Sequence, residues 1–224
     1  MCGRYALSVP GKIFKRFNTS NSLSTLDVNY NISPSTINPV IIRNSPNKVV
    51  LMKWGLIPFW AKDPKAGYKT INARAEDIQN KPVFRKPIRT QRCLVPATGF
   101  FEWKKLKLEE KEEKFPFYIS IKDRDLFSFA GVYDVWKDAE GKEIYSYSII
   151  TTSSNEAMKN IHERMPVILK QDKEDFYLDK TSSLDKILKL LTPYEASEIL
   201  SWPVSKHVNN PGNNSSDLIK QSDK

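Results

Sequence analysis

The chain is short of the residues that usually organise disulfide or metal sites. Among its 224 residues only two are cysteine and two are histidine. Cys2 and Cys93 form no CxxC pair and fall in no Cys/His spacing of a zinc site, which excludes a disulfide framework and gives no reason to expect a metal. No run approaches the roughly 20 apolar residues that a membrane-spanning helix needs, so no membrane association is expected. A basic segment followed by an apolar one is missing from the N-terminus. That argues against a secretory signal and makes a reducing, intracellular setting the expectation. Glycine is scarce at eight residues while proline reaches 14. Many short apolar runs between those prolines favour strands and turns over a helix bundle.

What remains is a folded, aromatic-rich chain with a lopsided charge. Apolar residues make up 40% of it, with five Trp, nine Tyr and eleven Phe, enough for one substantial core. The net charge is +9, but residues 1–100 carry 16 basic against 4 acidic side chains, and residues 101–224 carry 19 against 22. A polyanion facing the N-terminal half is the partner this asymmetry favours over an ordinary solubilising surface.

Periodicity and punctuation give an outline of the fold. Residues 2–7 begin a strand, residues 11–17 form a short amphipathic helix, and residues 18–38, rich in Asn and Ser, read as irregular chain. A strand is expected over 48–54, ending before Pro58. Residues 61–90 are basic, with a short helix beginning near Arg74. The run RCLVPATGFFEW over 92–103 reads as strand, turn and strand. The segment KKLKLEEKEEK over 104–114 has nearly cancelling charges, and reads as an exposed hairpin extension or a disordered loop rather than a nucleic-acid clamp. Strands follow over 115–121, 126–136 and 143–151, the last two joined by a hairpin turn. Ser153 and Glu156 make a capping-box pattern for a helix over AMKNIH. A short strand is expected around Ile168, a helix over 184–191 with Leu184, Ile187, Leu188 and Leu191 on one face, and a second short helix after Pro193. The expected architecture is a single α+β domain over 2–210 built on antiparallel sheet, with a tail over 211–224.

The second residue carries the most distinctive chemistry. If Met1 is removed, Cys2 presents a thiol and a free α-amine on one residue. Such a 1,2-aminothiol can capture an aldehyde as an imine and close on it through sulfur to give a thiazolidine. An α-amine with a pKa near 8 is far more available at neutral pH than a lysine near 10.4. A cationic surrounding would push both groups toward their reactive forms, and strand alternation from Cys2 puts Arg4 on its face. Cys93, in an apolar run with no neighbouring amine, reads as a buried core thiol.

Seven blocks in order, MCGRYAL, WGLIPFW, TINARAE, RCLVPATGFFEW, AGVYDVW, IHERMPVIL and WPVSKHVNN, resemble the SRAP family of abasic-site-processing proteins from residue 2 to about residue 210. The resemblance implies a mixed α+β domain with a central, barrel-like antiparallel sheet flanked by short helices, acting as a monomer without a cofactor. It implies covalent capture of abasic sites in single-stranded DNA by a thiazolidine between mature Cys2 and the ring-opened sugar, shielding the lesion from strand cleavage. Lyase-like activity, crosslink reversal and autoproteolytic release of Met1 come with it, as do single-strand/double-strand junctions as a candidate context. A cytoplasmic, nucleoid-associated location in a bacterium or a nuclear one in a eukaryote is the corresponding expectation.

Carried onto this sequence, the resemblance puts the nucleophile at Cys2, an orienting amide at Asn72, a carboxylate at Glu102 and an imidazole at His162. Arg4 and Arg74 match DNA-phosphate contacts, and Trp54, Pro58 and Trp60 fall in the block beside the nucleic-acid groove. The residue types suit these tasks. A carboxylate desolvated among Phe100, Phe101 and Trp103 can shuttle protons near neutral pH, although on a strand Glu102 would face away from Phe101 and Trp103. A histidine can protonate a sugar oxygen or hold a phosphate, and tryptophans can stack on unpaired bases. Two other readings of the same residues are a Cys2/His162 thiol peptidase and a noncovalent single-stranded DNA-binding module.

Overall fold

The computed structural model describes residues 2–23, 26–44, 46–108 and 111–222. Met1, whose release is expected, and residues 109–110 of the expected hairpin extension or loop therefore lie outside the described residues. The chain runs through β1 (Tyr5–Leu7), helix α1 (Ile13–Arg16), β2 (Asn29–Ile32), β3 (Ile37–Ile42), β4 (Lys48–Trp54) and β5 (Asn72–Arg74). A one-turn helix α2 (Pro87–Thr90) precedes β6 (Arg92–Ala97) and the long strands β7 (Gly99–Leu108), β8 (Lys111–Ile121), β9 (Phe127–Lys137) and β10 (Glu143–Ser153). Two short strands, β11 (Arg164–Pro166) and β12 (Ile168–Leu169), lead to α3 (Gln171–Leu178), α4 (Leu184–Leu188) and β13 (Ile199–Pro203).

Five of these strands close into a ring. β3 pairs with β4 and β6, β6 with β9, β9 with β10, and β10 returns to β4. The result is a mixed α+β fold with a closed central barrel flanked by short helices, as expected. The sheet is not purely antiparallel, however: β10 runs parallel to β4 and, further along, to β5. Both prolines in the ring sit where one side of their strand is unpaired. Pro39 opposes Leu51 and Pro96 opposes Ser128, whereas the β3–β6 ladder spans only Ile41–Ile42 and Cys93–Leu94. A missing N–H therefore costs no ladder bond there.

A second, antiparallel sheet runs in the order β13-β8-β7-β1-β2. The run over 92–103 is thus not a hairpin. β6 belongs to the barrel and β7 to the second sheet, and the chain crosses between them at Thr98, whose N–H and hydroxyl both donate to the Ala6 carbonyl. Gly99 is required at this crossing, because a Cβ would lie 2.2 Å from the Tyr118 ring. The two faces of β1 then separate. Tyr5 and Leu7 join the main core with Phe100 and Ile119, while Ala6 packs with Phe101, Tyr118, Val208 and Leu218 on the other side.

Several elements depart from the sequence outline. The stretch 18–38 contains β2 and the start of β3. No helix forms over AMKNIH: Ser153 is the last residue of β10, and Asn155 instead holds a series of turns through Met158. Near Arg74 the chain is strand β5 followed by a single 3-10 turn over Ala75–Asp77. After Pro193 there is one such turn and then β13. The segment 104–114 takes the hairpin form, continuing the β7–β8 ladder out to Leu108 and Lys111. Toward the C-terminus, Leu218 is buried and the Trp202 indole donates to the Ile219 carbonyl at 2.9 Å, which fastens this segment to the second sheet.

Candidate functional site

Cys2 lies at the seam of the two sheets, fully buried in the main core. It precedes β1, and residues 2–4 are not part of a strand. That breaks the expected alternation. Arg4 turns to the opposite side, where its guanidinium donates to Asn31 Oδ1 at 2.7 Å and to the Val208 carbonyl at 2.8 Å. The cationic surrounding expected for Cys2 is therefore not supplied by Arg4. Burial, and the nearby carboxylate of Glu102, push the Cys2 thiol well above its ordinary range. Activation of the sulfur requires a base rather than a standing thiolate.

Three residues from distant parts of the sequence gather around Cys2. β5 runs alongside β10 in the register Asn72 with Ile149, and Asn72 Nδ2 donates to the Cys2 carbonyl at 2.8 Å. Its Oδ1 is buried with no hydrogen-bond partner among the described residues. Glu102 lies on β7 opposite Phe117, and alternation gives it the side of Phe100 rather than of Phe101 and Trp103. That side is the interior, so Glu102 is only 2% exposed, and desolvation pushes its pKa up to about 7. His162 follows the turns after Asn155, and its Nε2 lies 4.0 Å from Glu102 Oε2.

The tautomer of His162 follows from its neighbour. Nδ1 lies 3.0 Å from the Arg164 backbone N and 3.3 Å from the Arg164 carbonyl; the shorter contact, with the N–H donating, assigns the proton of the neutral ring to Nε2, facing Glu102. Burial holds the imidazole pKa below its usual value, which keeps the ring neutral near pH 7. A neutral imidazole N–H and a carboxyl group titrating near neutrality therefore face each other beside a thiol. An open pocket of about 400 Å³ leads to this pair, lined by Glu102, Trp103, Lys105, Lys114, His162 and Asn209. Among the described residues no group of three His, Cys, Asp or Glu side chains could hold a metal ion.

The clamp between two motifs was not evident from sequence. Arg164, two residues after His162, makes parallel hydrogen bonds of 2.7 and 2.9 Å to the carboxylate of Glu76, four residues after Asn72, and also donates to the Thr151 carbonyl. The string NARAE pairs an acid with its amide, and HERMP pairs an arginine with its histidine. Only the parallel packing of β5 on β10, with β11 on the far end of β10, makes them partners. Asn209 also went unanticipated; its Oδ1 accepts the Trp103 indole N–H at 2.8 Å at the rim of the pocket.

The expected DNA-contact residues divide by burial. Arg74 is exposed, on β5 two residues from Asn72 and so on the same side. Trp60 is 54% exposed. Trp54 is instead fully buried, stacked on Tyr147 with its indole N–H donating to the Ile71 carbonyl at 2.9 Å, so it cannot stack on a base. Pro58 is buried as well and supports the loop rather than lining a groove. The exposed neighbour of Trp60 is Phe59, with the Lys86 ammonium 4.4 Å above its ring. Their loop is fixed from below: Phe59 N–H donates to Asp134, Ile57 N–H to Ser146, and the Trp136 indole to the Ala61 carbonyl. Gly55, at φ +120° and against the Gly67 carbonyl, makes the bend between β4 and this loop.

The surrounding basic surface is real rather than compositional. Lys62, Lys65, Lys69, Arg74, Lys81, Arg85, Lys86 and Arg89 are all exposed on the 61–90 segment. A separate cavity of about 200 Å³ between α1 and α3 has two arginines, but Arg16 is paired with Glu174 at 2.8 Å and Arg43 with Asp175 at 2.7 Å. Both of its cations are already neutralised.

Comparison with known proteins agrees with this architecture. The family model described as SOS response associated peptidase (SRAP) matches residues 1–211. The abasic site processing protein YoqW of Bacillus subtilis (strain 168) is 44% identical over 225 residues, covering 98% of this chain and 99% of that protein. The abasic site processing protein HMCES of Xenopus tropicalis is 34% identical over 222 residues, covering 85% of this chain and 65% of the relative. A crystal structure of a Bacteroides thetaiotaomicron protein superimposes with a TM-score of 0.87 at 32% identity, across 99% of this chain and 100% of its own.

Proposed function

The chain belongs to the SOS response associated peptidase (SRAP) family, and from that membership and the Cys2 site we propose that it captures abasic sites in single-stranded DNA covalently. In the sequence the Cys2 nitrogen is in peptide linkage to Met1, so the reaction begins with self-catalysed hydrolysis of the Met1–Cys2 bond, in which one water is consumed, methionine leaves and the α-amine is freed. The freed α-amine adds to the C1′ aldehyde of the ring-opened deoxyribose. The carbinolamine loses water to give an imine, and Sγ then adds to the imine carbon. A C–N and a C–S bond form, one water leaves, and the thiol proton ends on the ring nitrogen. No oxidant or cofactor enters.

Each neighbour has a defined share in that sequence. Glu102, poised near pH 7, takes the proton from the high-pKa thiol and delivers one to the departing carbinolamine hydroxyl. His162, with its proton on Nε2, hydrogen-bonds the sugar oxygen as the ring opens, and reversal uses the same groups in the opposite order. Asn72 fixes the Cys2 backbone through its carbonyl and offers the buried Oδ1 as an acceptor for the freed amine. Phe59 and Trp60 stack on unpaired bases beside the lesion, while Arg74 and the basic 61–90 segment follow the phosphates.

The observation that carries this reading is the cluster of buried Cys2 and Glu102 with half-buried Asn72 and His162 at a pocket on a chain with an exposed basic segment. The test uses processed protein and a uracil-containing oligonucleotide treated with a uracil glycosylase. A denaturation-resistant adduct is expected, with an intact mass equal to the sum of the Met1-free protein and the abasic strand less one water. Absence of an adduct, or an equal adduct from Cys2→Ala, would overturn the proposal.

A further inference from the structure

The hairpin that carries Glu102 does not end at the pocket. β7 and β8 continue outward, and their register sets Lys105 directly opposite Lys114, with Trp103 opposite Pro116 and Lys107 opposite Glu112. Residues directly opposed in an antiparallel pair share a face, with Cβ atoms about 5 Å apart, and like charges in that position destabilise the pairing. Both lysines nevertheless line the same pocket as Glu102, Trp103 and His162. Glu112 pairs with Lys105 at 3.0 Å, but Lys114 makes no ion pair among the described residues. The opposite face of the hairpin differs: Leu106 opposes Glu113, Glu113 is paired with Lys206, and Lys206 lies 4.6 Å over the Phe115 ring.

The described residues of this segment divide between two faces, with Lys104, Lys111 and Glu113 on the face away from Lys105. Lys105, Lys107 and Lys114 face the other way, with Glu112 as the one acid beside them among the described residues, and this face borders the pocket. We propose that the Lys105–Lys114 pair is a backbone-phosphate grip, holding the DNA strand on the hairpin side of the abasic residue while the 61–90 segment holds it on the other. An anion between the two ammonium groups relieves their repulsion, which makes the pair a better anion site than either lysine alone. The inference rests on single-stranded DNA being the ligand of the site. It also revises the sequence reading of this segment as no part of a nucleic-acid clamp.

The test compares wild type with Lys105→Gln/Lys114→Gln and with a control of equal charge loss on the other face, Lys104→Gln/Lys206→Gln. Noncovalent binding is measured across a salt series with a single-stranded oligonucleotide carrying a tetrahydrofuran abasic analogue, which has no aldehyde. Single-strand contacts contribute a slope of about 0.7 per phosphate in a plot of log affinity against log salt, so loss of the pocket-side pair, which grips one phosphate, should lower the slope by about 0.7 and the control by much less. An unchanged slope in the pocket-side variant, or an equal drop in the control, overturns the inference. Adduct formation by wild type on aldehyde-bearing abasic DNA is scored in parallel. Its absence would overturn covalent capture alone, because the salt comparison does not depend on the crosslink.

Discussion

Glu76 and Arg164 are joined by two parallel hydrogen bonds of 2.7 and 2.9 Å, and this single contact ties the motif bearing Asn72 to the motif bearing His162. The Arg164 side chain is 12% exposed and that of Glu76 is 49% exposed, so the pair lies at the surface edge of the site rather than inside it. Its geometric value exceeds its energetic one. Glu76→Gln is expected to cost about 1 kcal/mol of stability or less. It should slow adduct formation at saturating DNA several-fold, because His162 loses its fixed position relative to Asn72. Affinity for the tetrahydrofuran oligonucleotide should stay unchanged. A parallel loss of affinity, or an unaltered rate, would remove the positioning role.

Glu102 gives a prediction in pH. Its pKa is about 7 in the folded chain against an ordinary 4.5, with desolvation as the main cause. The unfolded chain ionises this group from pH 4.5 upward while the folded chain keeps it protonated until about 7. The resulting stability is fully present below 4.5 and is lost as pH rises through 7. Glu102→Gln should therefore gain stability relative to wild type on going from pH 4.5 to pH 8, by an amount on the order of 2–3 kcal/mol, read from denaturant midpoints. The same variant should lose the inflection near pH 7 in the wild-type rate of adduct formation. An identical pH–stability curve in both proteins would show that the carboxyl is not buried as described.

The two tryptophans that look alike in sequence should behave oppositely. Trp54 is fully buried in the aromatic core, 5.2 Å from Tyr5 and stacked on Tyr147, so Trp54→Ala is expected to cost about 3–5 kcal/mol. Trp60, half exposed on a pinned loop, should leave the thermal midpoint nearly unchanged when replaced by Ala. It should weaken single-stranded DNA binding by about 1–3 kcal/mol, the usual value of one stacked base. Thermal scans and a binding titration on both variants decide the matter. Comparable stability losses would contradict the burial difference.

Of the residues gathered at the site, only the aminothiol at Cys2 can be read from local chemistry; Asn72, Glu102 and His162 are named through the resemblance of their strings to the SRAP family. Their assembly was not legible. The seam that holds Cys2 depends on β6 and β7 diverging at Thr98, within a run that reads as one hairpin. β3 was hidden because Pro39 argues against a strand, and its half-unpaired ladder removes the objection only once partners are known. The pattern of Ser153 and Glu156 suggested a helix, but extension of β10 through Ser153 left Asn155 to cap turns instead. Burial was the least readable property. Trp54, Pro58 and Trp60 occupy one motif, yet burial persists past the bend at Gly55 through Pro58 and exposure begins only at Phe59.

Asn72 offers the sharpest test of how the aminothiol is held. Its Nδ2 donates to the Cys2 carbonyl while its Oδ1 remains a buried acceptor without a protein partner among the described residues. Asn72→Asp keeps the shape and the acceptor but removes the donor, and it places a second carboxylate near Glu102. The Cys2 carbonyl then loses its partner, and the added negative charge raises the thiol pKa further and disfavours ionisation of Glu102. Adduct formation is expected to fall about 10–100-fold, as for leaving one buried acceptor unsatisfied, and the apparent pKa of the rate should move upward. Asn72→Ala removes both functions without adding charge, so it should slow the reaction while leaving that apparent pKa near the wild-type value. A pKa shift of equal size in both variants would assign the effect to a general rearrangement of β5 rather than to the Asn72 amide.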